Sequence, residues 1–570
     1  MTNSQQRVTS NEQRVLVIGW DGATWTLLRP WLEKGYLPNL ARLTTEGASG
    51  PLTTTLPPVS ASAWTSFATG ANPGKHGLVD FTAPDPYGYH ITITNAAARA
   101  LPTVWELASA AGRQVIVAGV PGTYPPSPVN GVLVTSFLAP GPESDYTYPR
   151  DLKDELQAHV GEFPLSPSEA HRGGSVERFV DDMRACAVGR MAVFRYLLRE
   201  KPWGLAVLVF ASTDMLQHEL WHLLDPAHPR HDPTLAPVAR RAALSFFQEL
   251  DTHLGELMAL AGENTTVILM SDHGFGPFHS FLHLNNWLRS QGWLQLKPAS
   301  VTALKALAFR LGFTPLNVLK LLSAMGLGRL RSQVKGGKKG SLLRQLFLSF
   351  EDVDWSRTQA FAVGNFGQIY VNVSGERSLG CVQPGAEYEA LRDAIAERAL
   401  ALRDPATGDP VVLQVHRRED VFHGDQLHRL PDLIVHTDRR RYVSFGHADF
   451  GSRHLIEPSF GQSGHHTLTG ILAMRGPGVR PGMSLDDAHI VDLAPTILRL
   501  LQLPIPPHMD GQFLADALAS ELLNVASGGS ETTAKRIPPE TAATTRAPSN
   551  YSDQEEEAVR ERLRGMGYLA

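Results

Sequence analysis

Cysteine is nearly absent. Only Cys186 and Cys381 occur in 570 residues, in unrelated contexts, so no disulfide framework is expected. Charge is sparse as well: Asp, Glu, Lys and Arg make up 19% of the chain and the net charge is −5. That balance gives no general attraction for nucleic acid or for an acidic membrane. No apolar run approaches the roughly 18–20 residues of a membrane span. The first residues, MTNSQQRVTSNEQR, are polar and lack the apolar core of a signal peptide. No internal repeat is evident. These absences describe a soluble, cytoplasmic protein. What is abundant is apolar content, 43%, enough for a large core in one large domain with insertions or in two to three domains.

Apolar runs alternate with helical patterns. Strands are expected at RVLVIGW (14–20), 114–120, 131–137, 205–211 and 265–270, and helices near 38–47, 60–70, 103–112, 175–200 and 235–261. Pro30 should interrupt the helical pattern that follows Asp21, and residues 50–59 read as extended. Runs such as LAVLVFA suit strands covered on both faces. The fold class is therefore α/β, a mostly parallel central sheet with helices on both faces. Strand patterns return at 361–373, 411–415, 431–436 and 470–474, and 488–502 reads as the last core helix.

Three further stretches stand apart. Residues 277–350 carry helical patterns and a loop with Arg329, Arg331, Lys335, Lys338, Lys339 and Arg344. They read as a helical insertion or lid whose charges belong to a solvated flexible loop. Residues 523–550, rich in Ser, Thr, Ala, Gly and Pro, read as a disordered linker. Residues 551–570 form a charged helix with Val559, Leu563, Met566 and Tyr568 on one side, a face for the body of the protein or for a partner.

The chemistry gathers at strand ends. Asp21 follows the first strand, Asp214 follows 205–211 with His218 four residues on, Asp272 and His273 follow 265–270, and His466 precedes a strand. On a helix, positions 214 and 218 share a face. Three Asp and three His are hard or borderline donors that suit Zn2+ or Mn2+. Six are too many for one tetrahedral zinc and the right number for two ions with open positions, an arrangement used for displacement at phosphorus. Ser60 stands at a loop-to-helix junction, where it could equally serve as a helix N-cap.

These pieces resemble the type I phosphodiesterase/nucleotide pyrophosphatase group of the alkaline phosphatase superfamily. The matching motifs are IGWDG, LPNLARLTTEGA, TLPPVSASAWTSFATGANPGKHG, the Asp214/His218 pair, SDHGFG, GHHTLTGILAMRGPGV and DLAPTILRLLQLPIPPHMDG. The resemblance covers roughly 14–515, apart from the insertion and parts of 375–460. It implies an alkaline-phosphatase-like catalytic domain that holds two divalent metal ions. One ion would be held by Asp214, His218 and His466, the other by Asp21, Asp272, His273 and the nucleophile. Counting back from Thr69-Gly70, the nucleophile falls on Ser60, with Ser62 as runner-up. It would form a phospho-enzyme with a small-molecule phosphate ester.

Departures from the pattern bear on specificity. Where nucleotide pyrophosphatases of the group carry Asn and His three and four residues after the nucleophile, this chain has Ala63 and Trp64, so nucleotide specificity does not carry over. Asn72 and Lys75 are candidate substitutes that read more simply as loop residues. His465 is the alternative to His466, and His76 reads as structural. The expected activity is hydrolysis of a phosphate mono- or diester. A phosphomutase would use the same residues, and a metal-binding scaffold is the non-enzymatic alternative. A sulfatase is excluded because Ser60-Ala61-Ser62-Ala63-Trp64 lacks the Pro and Arg of that family's nucleophile motif.

Overall fold

A computed structural model describes residues 13–168, 170–324, 346–438, 441–446, 450–523, 551–566 and 568. The basic loop around Arg329–Arg344 and all of the expected linker beyond Leu523 lie outside the described residues. Contacts divide the chain into two compact units. The first comprises 1–79, 95–275 and 466–555, the second 80–94, 276–465 and 556–570.

The first unit is built on a ten-stranded sheet. In chain order its strands are β1 (Arg14–Trp20), β2 (Ala48–Thr53), β3 (Val115–Ala118), β4 (Gly131–Val134), β5 (Thr147–Tyr148), β6 (Leu205–Phe210), β7 (Thr265–Met270), β8 (Thr469–Arg475), β9 (Met483–Ser484) and β10 (Ala488–His489). The order across the sheet is β9-β2-β8-β7-β1-β6-β3-β4-β5, with β10 also on β2. The pairs β7-β1, β1-β6, β6-β3 and β3-β4 are parallel, while β8 runs antiparallel to both β2 and β7. Every residue of β6 and β7 is buried, as a strand with helices on both sides requires.

Helices α1 (Trp25–Glu33), α2 (Pro38–Thr45), α3 (Ser60–Thr69), α4 (Val176–Glu200), α5 (Ser212–Leu224), α6 (Ala236–Ala261) and α7 (Leu493–Leu500) belong to this unit. Two expectations change here. Helix α1 runs through Pro30 rather than stopping at it. The residue is exposed, so losing one hydrogen bond on the wet face is tolerated. The last core helix is shorter than 488–502, because a short strand and a 3-10 turn precede Leu493.

The second unit has its own core, in which Trp287, Phe350, Trp355, Phe361, Ile369 and Leu433 are buried together. A four-stranded antiparallel sheet contains Ala360–Ala362, Gln368–Val371, Leu433–Thr437 and Val412–Arg417. The apolar run 361–373 is thus two hairpin strands, because Gly364 and Gly367 adopt φ of 92° and 85° between them. Residues 277–350 contribute the strand Ser280–His283 and the helices Leu284–Ser290, Ser300–Arg310 and Pro315–Ala324. The terminal helix Asp553–Met566 buries Val559, Leu563 and Met566. Tyr568 packs edge-on against Phe81 at 4.7 Å, and Asn365 donates to its carbonyl. The apolar side of the terminal helix is therefore covered by its own chain.

Candidate active site

Register brings the strand ends together. Trp20 of β1 pairs with Phe210 of β6, and Gly19 with Met270 of β7. The next residues, Asp21, the start of α5 and Ser271-Asp272, therefore leave three adjacent strands at one rim. In open α/β sheets that rim is where ligands bind. Gly22 turns the chain sharply with φ of 66°, and its N–H donates to Asp272 Oδ1 at 3.1 Å. Thr213 and Gln217 of α5 donate to the carbonyls of Asp21 and Gly22, which ties the first two strand ends together.

All six proposed donors are buried within the first unit. Asp214 Oδ1 lies 3.1 Å from His466 Nε2, and Asp214 Oδ2 lies 3.4 Å from His218 Nε2. His273 Nε2 lies 3.3 Å from Asp272 Oδ2 and 3.8 Å from Asp21 Oδ1. Among the described residues, two groups have donor atoms close enough for an ion: Asp214, His273 and His466, and Asp21, Asp272 and His273. His273 thus stands between them. His218 joins the first group through His466, their Nε2 atoms being 3.0 Å apart.

Hydrogen bonding orients the imidazoles. His466 Nδ1 lies 2.9 Å from the Pro58 carbonyl and His273 Nδ1 lies 3.0 Å from the Gly274 carbonyl. A carbonyl only accepts, so each Nδ1 carries the proton. In the neutral ring Nε2 then presents a lone pair to the site.

The carboxylates are poorly satisfied. Asp21 Oδ1, Asp272 Oδ2 and both oxygens of Asp214 are buried and accept no hydrogen bond. Burial, and then the charges of Asp272 and Asp214, push the Asp21 carboxyl well above the usual range. Burial also raises Asp272, against the opposing pull of His273 and the Gly22 N–H. Three carboxyl groups with idle oxygens facing imidazole lone pairs are buried polar groups left unsatisfied, and this N and O donor set fits two divalent ions.

Ser60 is the first residue of α3, whose ten residues are all buried. Val59 is the N-cap, so Ser60 does not cap the helix. Its Oγ lies 3.1 Å from His273 Nε2 instead. Ser62 Oγ is buried and makes no hydrogen bond. The remaining candidates have structural partners. Asn72 caps the turn Pro73–His76 and binds Asp510, and Lys75 pairs with Asp510 at 2.5 Å. His76 Nε2 meets Ser66 Oγ at 2.9 Å. His465 packs on Phe278 and Phe366.

Two residues shape the site: Trp64, noted in the sequence only as a departure from the family pattern, and one the sequence reading did not single out. The Trp64 indole N–H donates to Asp21 Oδ2 at 3.2 Å, which leaves Oδ1 turned to the metal group. A Cβ on Gly19 would lie 2.5 Å from the Trp64 ring, so glycine two residues before Asp21 makes room for that indole. The second is Arg190, fully buried on α4. Its guanidinium donates to the carbonyls of Val209, Gly119, Pro164 and Leu165 and to Ser136 Oγ, all near the same rim. Burial lowers its guanidinium from the ordinary arginine value, and the nearby Asp21 works against that. The signal available was an arginine in the apolar stripe Met183-Cys186-Ala187-Met191-Phe194.

Comparison with known proteins agrees with this geometry. The type I phosphodiesterase/nucleotide pyrophosphatase profile matches residues 15–454. The chain belongs to that family. No curated protein matches its sequence. Among solved structures, phosphonoacetate hydrolase from Sinorhizobium meliloti 1021 is similar in two complexes. The one with phosphonoformate has 16% identity and a TM-score of 0.52, over 86% of this chain and 95% of that one. The one with phosphonoacetate has 15% identity and a TM-score of 0.53 over the same shares. Murine ectonucleotide pyrophosphatase/phosphodiesterase 5 in complex with AMP has 15% identity and a TM-score of 0.49, over 89% of this chain and 100% of that one. At such identities the likeness is one of fold: an α/β protein with a large, mostly parallel central sheet.

Proposed function

We propose that the protein is a two-metal phosphoric ester hydrolase that cleaves mono- or diesters of small molecules through a phosphoserine at Ser60. The observation that carries this reading is the set of buried, unbonded carboxylate oxygens beside three imidazoles and one serine hydroxyl. Asp214, His218 and His466 would hold one ion; Asp21, Asp272, His273 and Ser60 the other. Zinc suits these N and O donors, with manganese as the alternative. When bound, the ions supply an acidified Ser60 hydroxyl and neutralise charge on the phosphoryl oxygens.

The protein's own groups do the rest. The Ser60 hydroxyl releases its proton to solvent and its Oγ bonds to phosphorus as the ester P–O bond breaks, while the departing oxygen takes a proton from water. Water then splits the Ser60 ester and restores the hydroxyl. Ser60 begins α3, so the first-turn N–H groups and the helix dipole would favour negative charge on the transferred phosphoryl group. Trp64 and Gly22 fix which oxygens of Asp21 and Asp272 face the site.

The test is hydrolysis of p-nitrophenyl phosphate and bis-p-nitrophenyl phosphate by the full chain with zinc or manganese. Ser60→Ala should lose at least ~10^3-fold in kcat while retaining its metal. Full activity in that variant would move the nucleophile to Ser62. Metal-replete protein holding no ion would overturn the two-metal reading. Turnover of a natural monoester without net phosphate release would indicate a phosphomutase.

A further inference from the structure

Hydrogen bonds account for only part of the order at the rim. His273 and His466 are each held by an Nδ1 bond to a carbonyl. One such bond sets a direction and not the tilt of the ring. Yet the tilts form a pattern. The His273 and His466 rings lie nearly face to face, with centroids 3.5 Å apart and 17° between their planes, and His218 stands 5.0 Å from His466. One side chain packs against all three. Phe275, two residues after His273 on the strand Gly274–Pro277, is buried. Its ring meets His218 edge-on at 4.7 Å and 80°, His466 at 5.4 Å and 58°, and His273 at 6.1 Å and 46°. It also closes on the turn that carries Asp21, since a Cβ on Gly22 would lie 3.0 Å from the ring. Trp221, one turn beyond His218 on α5, stacks on Phe275 at 5.9 Å and 26°. The Trp221 indole N–H is buried and makes no hydrogen bond, so packing alone holds that indole in place. Gly274 provides the seat. A Cβ there would lie 1.8 Å from the Thr469 carbonyl oxygen at the start of β8, three residues after His466. The Phe275 ring thus touches all four segments that deliver donors to the rim.

We infer that Phe275 is a positioning residue for both ions: its ring fixes the tilt of His218 and His466 in one group and of His273 in the other. This role rests on the two-metal reading above. Aromatic rings at these separations choose edge-on or offset arrangements, so a phenyl ring constrains its neighbours in angle as well as in distance. It offers no hydrogen-bonding group, and leaves the Nε2 lone pairs to the site. Ligands held by their surroundings lose less freedom when an ion arrives, and they bind it more tightly. An aliphatic side chain fills similar space but has no flat face against which three imidazoles can rest. Because the ring meets donors of both groups, its loss loosens both.

The test is chelator competition on the full chain loaded with zinc or cobalt, which reads the affinity of each ion. The absorption spectrum of the cobalt form reads ligand geometry. Phe275→Leu should weaken both ions by ~10-fold or more and change the cobalt spectrum, while the metal-free variant still melts cooperatively. Phe275→Met, flexible and close in volume, should do the same, and it serves if the leucine variant does not fold. Wild-type affinities in these variants would make Phe275 an ordinary core residue and overturn the proposal. So would weakening of one ion with the other unchanged. Wild-type protein that holds no ion would instead remove the two-metal reading itself, and this role with it.

Discussion

Asp251 and Asp214 are buried aspartates of the same unit, on α6 and α5, and their surroundings differ in one respect. Asp251 Oδ1 accepts from Leu40 N at 2.7 Å, and Oδ2 accepts from both Asn39 N and Asn39 Nδ2 at 3.0 Å. It serves the orphan N–H groups at the start of α2. Asp214 has two oxygens with no hydrogen bond and two imidazole nitrogens within 3.4 Å. A buried carboxylate whose lone pairs are used is architecture. One whose lone pairs are idle, with two more like it nearby, is a binding site. The second unit offers an intermediate case in Asp80. It accepts from Phe81 N and Gln368 Nε2, yet burial outweighs these bonds and pushes its carboxyl up to about 7.

The sharpest way to break this contrast is to neutralise Asp214. Asp214→Asn should cut phosphate ester hydrolysis by at least ~10^3-fold and reduce bound metal, measured by kinetics and metal analysis. The metal-free variant should melt above metal-free wild type, because an uncompensated buried charge is gone. Lower stability would put Asp214 in the class of Asp251.

Asp80 tests the intermediate case through pH. Its folded-state carboxyl lies above its unfolded value, so the folded chain binds the extra proton. The stability it contributes is complete below about pH 4 and is lost as pH rises to about 7. Denaturant titrations should show a loss of up to roughly 4 kcal/mol across that window, absent in Asp80→Asn. A flat difference between the two proteins would mean that the hydrogen bonds prevail over burial.

Asp251→Asn turns an amide N–H2 toward N–H donors. It should cost about 2–3 kcal/mol in urea unfolding and leave metal content and kcat unchanged. A loss of metal would erase its distinction from the rim. The smallest expected effect is that of Trp64→Phe, which keeps an aromatic ring beside Gly19 and removes the bond to Asp21 Oδ2. Metal affinity measured by chelator competition should fall ~10- to 100-fold for one ion only. Equal loss of both ions would mean that the indole packs rather than orients.

The sequence made the rim visible because each donor follows an apolar strand, as Asp21 follows RVLVIGW and Asp272 follows TTVILM. Backbone hydrogen bonding and burial act locally enough to be read from such runs. The helices of 277–350 were visible too, but which side of Ser300–Arg310 meets solvent was not: Val301, Leu304 and Leu307 face outward. The parallel sheet, the strand-end aspartates and histidines and the serine at the start of α3 were determined by the sequence itself, because they depend on periodicity and on residue type. Only the tertiary structure decided that Trp64 holds one oxygen of Asp21, that Arg190 lies beneath the acidic rim, that Ser60 faces His273 instead of capping its helix, and that the terminal helix is covered by its own chain. These depend on which residues distant in sequence share a low-dielectric space, and periodicity carries no information about that.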